Sequence, residues 1–278
     1  MSRKAAFERD GYLHVPGALS AAQVAEARRF LASIFDRPSA YEGDYDAATG
    51  NVRFDACARY DALRWILLHP PLVEAFRELL GAGFVYLPET VVHDSIRGHW
   101  HKDTSAQLKA GHRFHLEPDY AMVQCAIYFQ DNTVEYGGGV DVIPGSHRRD
   151  DSYSSPLQRV ANRLRKKGLW PEKRGGTSVM NKAGDLVLFD FRIDHRGTPA
   201  TRTPIPPEAR KFALFIAASA DNAHARAYAD YIGGRADYRY LKEHRYPDAF
   251  LDEAKSRGVS LLKPSAVTAV GGAAEKKY

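Results

Sequence analysis

Apolar residues recur with a helical period along the first third of the chain. Near residue 84 they give way to runs with the composition of strands. Residues 7–17 read as a short helix, a break at Gly11 and a strand. Ser20 then caps a helix with Val24, Ala27, Phe30, Leu31 and Ile34 on one face. Residues 37–56 are rich in Asp, Tyr and Gly, lack a period and read as loop. Asp61 opens another helix, broken near Pro70-Pro71 and resumed through Leu72, Phe76, Leu79 and Leu80; Gly81 and Gly83 end it. From Phe84 onward, residues 85–92, 122–129, 140–143, 186–191 and 211–217 are rich in β-branched and aromatic residues between Gly or Pro turns. No long helix alternates with these strands, which argues against a doubly wound parallel sheet. Helices first and many strands after predict a mainly β domain, an antiparallel barrel or jelly roll with helices packed outside. Residues 224–257 return to helical, Tyr-rich patterning.

This pattern predicts one domain over residues 1–262: a helical part at 1–83, a jelly-roll core at 84–220 and C-terminal helices at 221–262. The Ala, Gly and Lys of residues 263–278 predict a mobile tail. At 278 residues the chain is at the upper end for a single domain. No apolar run reaches bilayer-spanning length, and the N-terminus has no apolar signal core, so a cytoplasmic protein is expected. Cys57 and Cys125 form neither a metal-ligand spacing nor a disulfide framework and read as small core residues. A net charge of +5 is too weak to imply nucleic acid. No internal repeat is visible, and composition leaves the oligomeric state open.

The candidate chemistry lies in Trp100-His101-Lys102-Asp103-Thr104. Two imidazoles and one carboxylate on one face of a metal leave the other face open, the arrangement of mononuclear non-haem Fe(II) sites. Spacing alone does not select it. With 11 His and 34 acidic residues in the chain, roughly one His-x-acid match arises by chance. Both His101-x-Asp103 and His115-x-Glu117 are present.

Four stretches carry a resemblance. They are Phe7 to Gly17; Trp100-His101-Lys102-Asp103; the Gly138–His147 block ending in Pro144-Gly145-Ser146-His147; and Gly184-Asp185 with its following strand, leading into His195. In this order, over roughly residues 7–220, they resemble the phytanoyl-CoA dioxygenase family of Fe(II)- and 2-oxoglutarate-dependent oxygenases. The resemblance implies a double-stranded β-helix of cupin-like form, with iron held by His101, Asp103 and His195. It also implies use of O₂ and 2-oxoglutarate, release of succinate and CO₂, and hydroxylation of a small molecule. An Arg at the start of the strand after the distal His is implied as the partner of the co-substrate's far carboxylate, because a guanidinium pairs bidentately with one. Arg210 holds that place, with Arg202 the alternative because the Pro204-Ile205-Pro206-Pro207 stretch lengthens the gap. Thr198 and Gln124 are further expected contacts. The Asp103 carboxylate argues against a halogenase, where chloride takes that position.

Ser146 and His147 read as turn-stabilising residues rather than catalytic ones. Between them and Gly184 lies an insert carrying Arg148, Arg149, Arg159, Arg163, Arg165, Lys166, Lys167, Lys173 and Arg174 against three acids. It reads either as a mobile basic lid that recognises an anionic substrate or as a solvated face. Two other classes stay open: a cupin-like zinc or manganese isomerase or hydrolase using His99 and His101 with His112 or His195, and a noncatalytic binding protein on an oxygenase scaffold.

Overall fold

The computed structural model describes residues 2–40, 44–47, 50–94, 99–149, 156–166, 169, 175–235 and 245–265. Helix α1 (Arg3–Asp10) starts where the Ser2 hydroxyl accepts from the Ala5 amide and stops at Gly11, whose φ of 80° favours glycine. Strand β1 (Tyr12–Val15) follows. Helix α2 (Ala21–Phe35) opens with a capping box: Ser20 accepts from the Gln23 amide, and the Gln23 side chain accepts from the Ser20 amide.

The stretch expected as loop holds two strands, β2 (Tyr45–Ala47) and β3 (Gly50–Phe54). Helices α3 (Ala56–Arg59), α4 (Asp61–Arg64) and α5 (Pro70–Leu80) come next, with a 3₁₀ turn at Trp65–Leu68. Pro70 and Pro71 start α5 rather than interrupt a longer helix, because the first helical turn has no use for their missing amides. Strand β4 (Val85–His93) pairs with β3, which explains the missed strands. A polar segment with no alternation of its own takes strand form from the edge it joins.

The remaining elements are α6 (Thr104–Lys109), β5 (Met122–Tyr128), β6 (Val140–Val142), α7 (Pro156–Lys166), β7 (Thr177–Val179), β8 (Leu186–Asp190), β9 (His195–Gly197), β10 (Ala213–Ser219), α8 (Ala223–Gly234), α9 (Asp248–Ser256) and β11 (Ser260–Leu261). Residues on both sides of α7, and the tail from 266 onward, lie outside the described residues.

The strands form two sheets. The larger runs β1-β8-β5-β10-β4-β3-β2, with β11 added to β4, and the smaller runs β7-β6-β9. Every pairing is antiparallel except β11 with β4. Alternation along each strand sends the large sheet's side chains to two opposite faces. Cys125, Ile127, Leu188, Leu214 and Ile216 face α2 and α5. Ala126, Tyr128, Val187, Phe189 and Ala213 face Val140, Val142 and Val179 of the small sheet. Two sheets enclosing an inner core, with helices on the outer face of the larger, make the double-stranded β-helix the sequence leads one to expect. Burial pushes the thiols of Cys57 and Cys125 far up, so both are inert packing residues. Among the described residues no helix is long and apolar enough to cross a membrane.

Candidate metal centre

One short antiparallel bridge creates the site. The His101 amide donates to the His195 carbonyl and the His195 amide donates to the His101 carbonyl, both at 2.9 Å. Residues that exchange both bonds stand directly opposite and project their side chains to the same side. The two imidazole centroids are accordingly 4.3 Å apart. Asp103 lies two residues on, so its side chain returns to that side, and its amide is tied to the Phe191 carbonyl at 3.1 Å. Its Oδ1 is 3.8 Å from His101 Nε2 and 3.6 Å from His195 Nε2. One ligand atom from each of the three falls within 4.8 Å of the others. Donors bound at about 2.0–2.2 Å and at right angles around one ion stand about 3 Å apart, so a modest contraction completes the set.

The imidazoles are held in the ligating form. His101 Nδ1 lies 3.0 Å from the His99 carbonyl oxygen, and His195 Nδ1 lies 3.2 Å from that of Ile193. A carbonyl only accepts, so each Nδ1 donates and each Nε2 turns its lone pair toward Asp103. Burial, with His195 close by, lowers the His101 pKa to about 3. Burial likewise brings His195 to about 4, against the hydrogen bond to Ile193. Neutral imidazole is the form that binds a metal. His195 is the more enclosed, with 9% of its side chain exposed against 29% for His101, and Phe189 packs on it at 4.7 Å. Asp103 sits at the cap position of α6 but makes no capping hydrogen bond. Two neutral nitrogens and one carboxylate on one side fit Fe(II) with open positions.

The Pro144-Gly145-Ser146-His147 block secures this bridge from behind. Ser146 Oγ accepts from the Asp194 amide at 2.8 Å, immediately before His195. Lys102, between the two proximal ligands, donates its ammonium to the carbonyls of Ser146 at 2.8 Å and Arg149 at 2.9 Å. The Gly145 amide donates to the Asp10 carbonyl, and His147 Nε2 lies 3.1 Å from the Glu8 carbonyl oxygen. A Cβ at Gly11 would come within 2.3 Å of His147, so glycine there serves both its backbone angle and this contact. Trp100 is held between the Arg196 guanidinium, 4.8 Å above its ring, and Gly176.

The other expected site residues separate. Gln124 is buried in β5 between Phe189 and Ala217, in line with Ala126 and Tyr128 on the inner face. Thr198 lies on the far face of the small sheet. Its hydroxyl donates to Asp141 Oδ1 at 2.8 Å and accepts from Asn132 Nδ2 at 3.3 Å. Arg196 and Ser178 also bind Asp141, which alternates with the inward Val140 and Val142. Arg210 points into the helical layer, not the barrel. Its guanidinium binds Asp36 at 2.5 Å and Asp94 at 2.9 Å and covers Phe212 of the helix-side core. Arg202 is a surface residue beside Glu135, 65% of its side chain exposed.

The geometry thus brings together His101, Asp103 and His195, sets Gln124 on the inner wall, and leaves Thr198, Arg210 and Arg202 outside the barrel. Lys211, which sequence reasoning passed over, is 7% exposed and faces inward, its ammonium 5.7 Å from the Tyr128 ring and 5.9 Å from the Phe215 ring. Its signal was parity: one residue from Arg210 along an extended chain is the opposite face. His115 lines a separate cavity of about 200 Å³ behind Lys102, and His112 packs against Phe114 and Tyr231. His93 packs edge-on against Phe215. A larger groove, about 530 Å³, runs between Trp65, His69 and Phe250 and holds none of the three ligand residues.

The family model described as phytanoyl-CoA dioxygenase matches residues 7–204. The ectoine dioxygenase of Sphingopyxis alaskensis is 26% identical over 245 residues, covering 77% of this chain and 75% of that protein. The crystal structure of EctD from S. alaskensis with 2-oxoglutarate and 5-hydroxyectoine matches with a TM-score of 0.57 at 22% identity, over 79% of this chain and 76% of that one. The structure of SnoN, a non-heme alpha-ketoglutarate-dependent epimerase from nogalamycin biosynthesis, matches with a TM-score of 0.56 at 19% identity, over 81% and 85%.

Proposed function

The chain belongs to the phytanoyl-CoA dioxygenase family, and from that premise we propose an Fe(II)- and 2-oxoglutarate-dependent oxygenase that hydroxylates a small polar metabolite. In this reading His101, Asp103 and His195 hold the metal. The supporting observation is that one ligand atom from each of the three residues lies within 4.8 Å of the others, with both Nδ1 atoms occupied by backbone carbonyls. When bound, iron supplies the redox chemistry of the class: 2-oxoglutarate loses CO₂ to become succinate, one atom of O₂ entering succinate and the other the substrate's new hydroxyl.

The chain's own residues do the rest. Asp103 brings the single negative charge of the ligand set, so a divalent ion keeps a net positive charge for an anionic co-substrate. The carbonyls of His99 and Ile193 fix both rings. Phe189, Val140, Val142 and Ala126 wall the inner side with apolar surface and exclude water from it.

An anionic substrate is the finer part of the proposal. The insert from 149 to 176 leaves and rejoins the fold beside the ligands, at Arg149, whose carbonyl Lys102 holds, and at Gly176, against Trp100. Arg148 just before it and Arg149 and Arg163 within it are exposed. Cationic groups there raise the local concentration of an anion before it reaches the metal.

The test is turnover. Protein reconstituted anaerobically with Fe(II) and then given air and 2-oxoglutarate is expected to form succinate, faster when its metabolite is supplied. Activity on a metabolite panel with zinc or manganese, without loss of 2-oxoglutarate, would instead support the isomerase or hydrolase reading.

A further inference from the structure

We infer that the cavity behind Lys102 is a second ligand site, built for a phosphate group. It lies apart from the candidate metal centre. Along an extended chain Lys102 points away from the side that His101 and Asp103 share, so the ligand segment separates the two.

Charge carries the assignment. The cavity, about 200 Å³, is lined by Lys102, Arg148, Arg149 and Arg192, and no carboxylate is among its lining residues. Like charges around one small space repel, more strongly where low-dielectric walls replace water. An anion among them relieves that repulsion. Two of the four cations build the walls. The Lys102 ammonium holds the Ser146 and Arg149 carbonyls at 2.8 and 2.9 Å. Arg192 donates Nε and Nη2 to Asp190 at 2.9 and 2.7 Å and lies 4.9 Å above the Tyr120 ring. The other two are exposed and available. Among the described residues the Arg148 and Arg149 guanidinium groups make no hydrogen bond or ion pair. Asp10, the acid whose ionisation Arg148 favours, is bound by Arg9 at 2.8 and 2.6 Å.

Ser105 adds a neutral donor. Its hydroxyl lines the same cavity, is shielded from solvent and has no hydrogen-bond partner among the described residues. A shielded hydroxyl normally has one, and a phosphate oxygen supplies it. Guanidinium groups bind phosphate through two parallel N–H···O bonds. Leu108 and Leu116 also line the cavity, Leu116 48% exposed, so the organic part of a phosphate monoester has apolar surface to lie on. Bound phosphate ties α6, which begins directly after Asp103, to Arg149, where the insert leaves the fold.

The test is binding by the full chain freed of metal, which keeps it independent of turnover. Inorganic phosphate, phenyl phosphate and, as a singly charged control, acetate are titrated by calorimetry at constant ionic strength. Phosphate is expected to bind at one equivalent with a Kd below about 1 mM, and acetate at least about 10-fold more weakly. Arg149→Gln should weaken phosphate by about 10- to 100-fold and Ser105→Ala by about 10-fold. Arg163→Gln removes the same net charge from α7, outside the cavity, and should leave phosphate affinity unchanged. Phenyl phosphate binding as tightly as inorganic phosphate supports the site and assigns it to a phosphorylated metabolite; its exclusion supports the site and assigns it to free phosphate. Absence of saturable phosphate binding, equal affinity for acetate, or an equal loss in Arg163→Gln and Arg149→Gln overturns the inference, the last because net charge alone then accounts for the attraction.

Discussion

Asp55 is a carboxylate with almost no access to water, 4% exposed. Its backbone takes the left-handed conformation, φ 50°, and its carbonyl accepts the amides of Ala58 and Arg59 at the start of α3. Burial raises its pKa from 3.8 to about 7, and the Arg59 charge only partly opposes this. The folded state therefore holds this proton more tightly than the unfolded chain does. Its contribution to stability is complete below about pH 3.8 and is lost as pH rises through about 7. Asn has nearly the same shape, tolerates the left-handed region and does not ionise. Between pH 5 and pH 8 the stability of Asp55→Asn relative to wild type should rise by roughly 2–4 kcal/mol, measured by urea unfolding at several pH values. A flat difference would mean that the carboxylate ionises in place without cost. At this scale the sequence distinguished some residues and not others. His101-x-Asp103 and His115-x-Glu117 look alike as strings. They differ because His101 enters a backbone bridge with His195, while His115 lies in a 3₁₀ turn. Ser146 and His147, legible as turn residues, hold the distal ligand strand and the N-terminal segment in place.

Among the elements, the approach to β10 sends neighbouring residues to opposite faces of the sheet. Arg210 and Phe212 face the helices and Lys211 and Ala213 face the barrel. Because Phe212 to Ala217 is apolar on both faces, period-two alternation in the sequence does not say which residue points inward. Thr198, just past β9, illustrates the same limit: its hydroxyl goes to Asp141. The strong strands β5 and β8 were legible from composition alone, whereas β2, β3, β7 and β11 exist because a neighbour offers an edge. Helix α7 carries the substrate proposal. Leu157 and Val160 on it are 82% and 55% exposed, and about half of the expected lid lies outside the described residues. If the insert attracts an anionic substrate, kcat/KM for the metabolite that stimulates succinate release should fall as salt rises at saturating 2-oxoglutarate, since exposed charges are screened over about 8 Å at physiological ionic strength. The slope should flatten in a variant with Arg148, Arg149 and Arg163 changed to Gln. Equal slopes would leave the basic stretch as solvated surface.

At the scale of the whole molecule, the helices cover the outer face of the large sheet and the small sheet closes the inner one, with the three candidate ligands brought together beside the small sheet. Ligands distant in sequence become neighbours there through backbone pairing. The fold was legible because helices, then turn-separated strands, admit few architectures, and the family motifs fixed their order. What sequence did not give was the direction of side chains across a closed barrel. The most direct measurement on the site is an anaerobic Fe(II) titration by equilibrium dialysis. It compares wild type with His101→Ala, Asp103→Ala, His195→Ala and, as a control, His115→Ala. Wild type and His115→Ala should each bind one equivalent, and each of the other three should bind at least about 100-fold more weakly. Tight binding of one equivalent retained in His195→Ala, or lost in His115→Ala, would contradict a metal centre built on His101, Asp103 and His195.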